Sequence, residues 1–171
     1  DAENADNEPQ DPNAADIILY QTEDGQTRFE VRIQDGTAWL SQALMAELYQ
    51  CTAQNITQHL KALYDEQEVD EAATCKESLQ VQNEGERQVQ RSVKLYNLDA
   101  ILAVGYRVRS HRGAQFRRGA TERLSEYLRK GFVMDDQRLK EGRTLGADYF
   151  DELIERIRDI RASEQRFYKK I

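Results

Sequence analysis

Seven arginines and one lysine fall between Asn97 and Gly131, in a chain of 171 residues whose net charge is −7. Arg107, Arg109, Arg112, Arg117, Arg118, Arg123, Arg129 and Lys130 oppose only Asp99, Glu122 and Glu126 in that stretch. A guanidinium presents a planar fork of donors that matches phosphate oxygens. Two chemistries follow. The first is passive phosphate binding by Arg107, Arg109, Arg112, Arg117 and Arg118, with His111 as a further donor. The second is attack on a phosphodiester by Tyr106, with the neighbouring Arg and His side chains stabilising the developing charge. A non-catalytic phosphate site needs the same cluster, so the non-catalytic reading is adopted and the strand-processing enzyme is kept as an alternative. The plainest reading of all is a helical hairpin with a solvated basic face.

The elements that must carry these side chains are legible. Asn97 is a good N-cap for a helix through Ile101, Leu102 and Val104. A second helix is expected from near Gly113, with Phe116, Leu124, Tyr127 and Leu128 on one face and Gly131 as a left-handed cap. The residues between, 108–112, form an arginine-rich loop. Upstream, Ser41 can cap a helix with Leu44, Met45 and Leu48 as its stripe. Gln50-Cys51 makes a turn, and Thr52 caps a second helix carrying Ile56, Leu60 and Leu63. That spacing suits a helix-turn-helix, whose second helix enters the major groove. Gln54, Asn55, Gln58 and Lys61 would then be presented, and Asn and Gln amides pair bidentately with adenine. An ordinary helical hairpin with a polar face fits the same spacing, and the turn lacks the glycine often found there.

A β-hairpin is expected on either side of this pair. Residues 17–40 show Asp24-Gly25 as a turn and Phe29, Val31 and Ile33 alternating with Arg28, Glu30 and Arg32. Residues 78–95 place Leu79 and Val81 on one strand, Asn83 to Glu86 at the turn, and Val89, Val93 and Leu95 on the return. A hairpin after a helix-turn-helix is the arrangement of a winged helix, with Arg87, Arg91 and Lys94 on the wing. The plain alternative is a hairpin completing a sheet with Phe29 to Ile33. Between helix pair and hairpin, Asp65 to Glu77 is an acidic connector unsuited to phosphate. Beyond Gly131, Asp135-Asp136 can start a short helix that stops at Gly142, and 142–146 reads as a hinge. A long helix then follows from Asp148, with Phe150, Leu153, Ile157, Ile160, Phe167 and Ile171 at alternating steps of three and four and Glu164 breaking the series. That is a coiled-coil seam, or the inner stripe of an amphipathic helix packed on its own domain.

Composition sets bounds. With 39% hydrophobic and 32% charged residues the chain can bury a core and stay soluble. Nothing reads as a membrane span or a signal peptide. Cys51 and Cys75 make no disulfide framework, which points to a reducing cytoplasm. Those cysteines with His59 and His111 lack zinc spacing, so no metal is expected, and no motif calls for a cofactor. Six acids and no base lie in 1–16, so the tail alone holds six of the seven net negative charges, and the basic stretch is a local pole. The tail is too poor in apolar residues to order itself. A first residue other than Met reads as a processed or trimmed start.

The residues also carry a resemblance. Tyr96-Asn97-Leu98-Asp99, Val104-Gly105-Tyr106-Arg107-Val108, Ser110-His111-Arg112-Gly113-Ala114-Gln115-Phe116-Arg117, Glu126-Tyr127-Leu128 and Lys130-Gly131-Phe132 resemble the RhuM virulence-protein family, from about Ile17 to the end. These are bacterial proteins, often described as DNA-binding and found near restriction–modification genes. The family usually places Trp-Ala where this chain has Gly119-Ala120. The resemblance implies a DNA-binding class, no particular mechanism, and a further C-terminal region.

The expected architecture is therefore α+β. After the acidic tail (1–16), a winged-helix-like domain of β-hairpin, helix-turn-helix and second hairpin covers 17–96. A basic helical hairpin packed on it covers 97–141, and a long amphipathic or coiled-coil helix covers 147–171. The expected function is a cytoplasmic DNA-binding regulator associated with defence or virulence. Its partner is double-stranded DNA, and the terminal helix makes a homodimer. The alternatives are an antirepressor-like protein–protein module and the Tyr/Arg/His enzyme.

Overall fold

Ser41 and Asn97 each end a strand and begin a helix, and their two strands lie side by side. The structure, a computed structural model, describes residues 15–21, 28–33, 36–141 and 147–168. Two strands open it, β1 (Ala15–Gln21) and β2 (Arg28–Ile33), paired with each other. Next come β3 (Trp39–Ser41), α1 (Gln42–Tyr49), α2 (Ala53–Asp65) and the single turn α3 (Glu71–Thr74). The strands β4 (Cys75–Glu84) and β5 (Arg87–Asn97) follow, then α4 (Leu98–Arg107), α5 (His111–Lys130), α6 (Asp136–Glu141) and α7 (Ala147–Tyr168). The chain is α+β, as expected. Residues 17–133 form one compact unit, and the chain from Met134 onward belongs to a second.

The second hairpin does not extend the first. The strand order is β3-β5-β4, all antiparallel, with Trp39 opposite Asn97 and Ser41 opposite Leu95. β1 and β2 make a separate two-stranded sheet, so the residues just before α1, not Phe29 to Ile33, complete the sheet. Lys76 stacks its ammonium 4.0 Å from the centre of the Trp39 ring across that sheet. The hairpin register runs unbroken from Cys75 opposite Tyr96 to Glu84 opposite Arg87. A two-residue turn closes it, with Gly85 at φ +63° as such turns require. Leu79 and Val81 remain exposed on this arm.

Three helix starts have their expected caps. Ser41, Thr52 and Asn97 accept from the amides of Leu44, Asn55 and Ala100. The turn between α1 and α2 is made without glycine: Gln50 takes a left-handed conformation at φ +52° and its amide closes on Ala46 and Glu47. The stripe of α1 keeps Met45 and Leu48 from the expected three and adds Ala46 and Tyr49 in place of Leu44. Met45, Ala46, Leu48 and Tyr49 are buried, while Leu44 is half exposed. They pack with Ile56, Leu60 and Leu63 of α2 and with Ala100, Ile101 and Val104 of α4. The helix after the arginine loop begins at His111, because Ser110 supplies the cap. Of its expected apolar face only Phe116 is buried; Leu124, Tyr127 and Leu128 are 55, 53 and 72% exposed. The helix of twenty residues is about 30 Å long, and its buried residues, Gly113, Gln115 and Phe116, all lie in its first two turns.

In the second unit, α6 and α7 lie where short and long helices were expected to start. Much of the acidic tail, the Asp24-Gly25 turn, the 142–146 hinge and Ile171 lie outside the described residues, as does the Phe167 side chain. Among the described residues no helix is long and apolar enough to cross a membrane.

Candidate nucleic-acid interface

The junction of α4 and α5 is built on close approach. Tyr49 of α1 donates from its hydroxyl to the carbonyl of Ile101 at 2.6 Å, and its ring meets Phe116 edge-on at 5.7 Å. Gly105 lies in the gap: a Cβ there would come within 2.6 Å of both the Phe116 ring and the Tyr49 oxygen. A side chain at Gly113 would come within 2.5 Å of the Val108 carbonyl. Ser110 accepts from the Gly113 amide at 2.9 Å and donates to the Tyr49 carbonyl at 2.5 Å. Two glycines and one serine thereby press the arginine loop against the end of α1.

The loop's arginines divide into two kinds. Arg107 is engaged at the surface by the protein's own carboxylates. Its guanidinium forks onto both oxygens of Glu66 at 2.8 and 2.9 Å and reaches Glu68 at 3.1 Å. That contact raises the Arg107 pKa and holds Glu66 below the usual carboxylate range. Arg117 is taken up as well, donating to the carbonyls of Val108 at 2.6 Å and Gly105 at 3.4 Å, where α4 ends. A cation there offsets the negative end of the helix dipole. Arg109 has no carboxylate partner among the described residues, and it and His111 are exposed. Arg112 is half buried and reaches the Gln115 side chain at 3.3 Å, while Arg118 is exposed on α5.

The α2 residues divide similarly. Gln54, Gln58 and Lys61 are exposed, and at 100° per residue they fall within about 60° of one another on the helix. Thr57 lies on the same side but is occupied, with its hydroxyl 2.9 Å from Gln42 Oε1; Gln42 in turn donates to the Tyr96 hydroxyl at 3.0 Å. Asn55 is half buried and lies about 100° from Gln54, on the flank shared with His59. The His59 pKa is lowered, first by burial and then by the positive charges of Arg107 and Arg109. The field of the loop thus reaches α2.

The sequence contained the partners but not the pairing. Glu66 and Glu68 read as acidic connector, and no spacing rule links them to Arg107, about forty positions on. The Ser110 cap was readable three residues before Gly113. Tyr106 is exposed and sets its ring edge-on to Phe116 at 5.5 Å. As a nucleophile it would need the adjacent guanidinium, and that group is held by Glu66 and Glu68. Among the described residues no group of three His, Cys, Asp or Glu side chains could hold a metal ion.

Comparison with known proteins gives one result. The family model described as the virulence protein RhuM family matches residues 73–171. Neither the curated proteins nor the solved structures returned a match. The matched stretch opens within α3 and takes in the arm, the arginine loop and everything after it, leaving α1 and α2 outside. It contains all the motifs from Tyr96 to Phe132 noted above and more than half of the chain, which therefore belongs to the virulence protein RhuM family.

Proposed function

We propose that this protein binds double-stranded DNA, with α1 and α2 acting as a helix-turn-helix and the β4–β5 arm as its wing. One observation carries the reading. The exposed Gln54, Gln58 and Lys61 stripe shares α2 with His59, whose pKa is lowered in part by the charges of Arg107 and Arg109, and Arg109 has no carboxylate partner among the described residues. In this reading Gln54 and Gln58 read base edges and Lys61, Arg109, His111, Arg112 and Arg118 hold phosphates. Asn55 borders the reading face. Arg107 and Arg117 brace the loop and make no DNA contact.

The test is binding of a labelled random duplex at several salt concentrations, for the parent and for Arg109→Ala. The variant should bind all sequences more weakly, and its log–log salt slope should fall by about one unit. Equal binding by parent and variant would overturn the assignment. A second reading, a protein-binding module, is favoured by a different observation: Leu124, Tyr127, Leu128, Phe132 and Val133 are all exposed at the end of α5. Parent protein that binds no duplex even at low salt would favour it.

A further inference from the structure

Thr57 is exposed within the stripe of α2, about 60° from Gln54 and about 40° from Lys61 around the helix axis. Its neighbours in the stripe end in amides or an ammonium. Thr57 has a hydroxyl and a methyl, and the fold engages the hydroxyl. That group has one proton and two acceptors in reach, Gln42 Oε1 at 2.9 Å and the Ala53 carbonyl at 3.0 Å. The carbonyl belongs to the preceding turn of the same helix, a bond open to any helical threonine. The Gln42 contact is particular to this fold. Gln42 is the first residue of α1, and its Nε2 donates to the hydroxyl of the buried Tyr96 at 3.0 Å. With its nitrogen held on β5, Gln42 turns its oxygen to Thr57. The Thr57 proton is thus directed into the protein, and the methyl is what the side chain has left to present.

We infer that Thr57 is a specificity residue whose methyl packs on the C5-methyl of a thymine in the major groove. The inference rests on the reading of α2 as the helix that enters that groove. Base edges there are hydrogen-bond donors and acceptors apart from the thymine methyl, and an apolar group is what recognises it. A threonine with a free hydroxyl would serve any base, because the group both donates and accepts. Holding the hydroxyl on Gln42 and Ala53 takes the donor away and narrows the choice. The neighbouring Gln54 and Gln58 fit the same target, since their amides suit adenine. The site that α2 reads is therefore rich in A·T pairs, with amides on adenine and the Thr57 methyl on thymine.

The test uses the full chain to select its preferred site from a pool of randomised duplexes. That site is then remade with each thymine in turn replaced by uracil, which lacks only the methyl. At one thymine the replacement should weaken binding by about fourfold, as expected for one buried methyl. Two variants separate the methyl from the hydroxyl. Thr57→Ser keeps the hydroxyl and should bind the thymine and uracil sites alike. Thr57→Val keeps a methyl and should still prefer thymine. If Thr57 served only to hold Gln42, the thymine preference would persist in Thr57→Ser, and that result would overturn the inference. A ratio of two affinities for one variant is read in each case, so a general loss of stability cancels. A selected site without thymine, or a parent indifferent to uracil at every position, would overturn the inference and leave duplex binding standing. Parent protein that binds no duplex would overturn both.

Discussion

Arg107 meets Glu66 through both arms of its guanidinium, at 2.8 and 2.9 Å, and so joins the last residue of α4 to the residue after α2. Arg107 and Arg109 are two residues apart and alike in composition, yet the fold gives them opposite assignments. Arg107→Ala should leave duplex binding within about twofold of the parent, a shift of under 0.5 kcal/mol. Arg109→Ala should weaken it severalfold. Equal losses in the two variants would show that Glu66 does not withhold Arg107 from phosphate.

His59 reports the charge of the loop. Its folded pKa is depressed below the ordinary value of 6.5, so the fold prefers the neutral ring. Its contribution is present above pH 6.5 and is lost as pH falls from there through the folded value, because the unfolded chain takes up the proton first. Arg109→Ala removes one of the two charges that disfavour the proton. The His59 ring resonances, followed by NMR against pH, should then titrate at higher pH than in the parent while staying below 6.5, since burial persists. An unmoved midpoint would place Arg109 away from α2.

The same substitution should have opposite signs at two glycines. Gly105→Ala must displace the Phe116 ring or the Tyr49 hydroxyl, and should cost about 1–3 kcal/mol in thermal or denaturant unfolding. Gly119 also lies inside a helix, but a Cβ there would meet only the end of the Arg123 side chain, at 3.2 Å. Gly119→Ala should therefore stabilise the protein by about 0.5–1 kcal/mol, the usual helix-interior difference. Destabilisation by both would mean that α5 is more tightly covered near Gly119 than the structure has it.

Asn97 serves two elements. Its side-chain oxygen accepts from the Ala100 amide at 3.2 Å and its nitrogen donates to the Ala73 carbonyl at 3.3 Å. Asn97→Ala should cost about 1 kcal/mol as a lost cap. Asn97→Asp keeps the cap and loses only the Ala73 contact, so its melting temperature should fall between those of the parent and Asn97→Ala.

What the sequence made legible was whatever local chemistry decides. Ser41, Thr52, Asn97 and Gly131 were readable as caps because a side-chain oxygen or a free left-handed backbone acts within three or four residues. The limits of α1, α2 and α4 followed. Of the expected α1 stripe Met45 and Leu48 are buried and Leu44 is not; Leu44 and Met45 are adjacent and equally apolar, so the pattern alone did not separate them. Only the tertiary contact of Tyr49 with Ile101 and Phe116 settles which of them faces in. Long-range pairing was the larger gap. That Glu66 and Glu68 claim Arg107, and that Trp39 to Ser41 rather than Phe29 to Ile33 complete the sheet, are facts of register and approach. No window of neighbouring residues contains them. The apolar face of α5 was correct as periodicity, but periodicity does not say where the core ends.

The pairing of β3 with the end of β5 has a consequence for how the chain acquires its fold. Trp39 to Ser41 can dock on Leu95 to Asn97 only after some fifty intervening residues have been closed into a loop. Closure brings together Ser41 and Asn97, the residues from which α1 and α4 grow. Those helices must share one core, so each gains its tertiary support at the same late step. A long closure of this kind is paid in chain entropy before it returns contacts. Folding should therefore be slower than in a helical bundle of the same size, with β3 residues gaining their protection from hydrogen exchange in step with α4 rather than with the neighbouring α1–α2 turn.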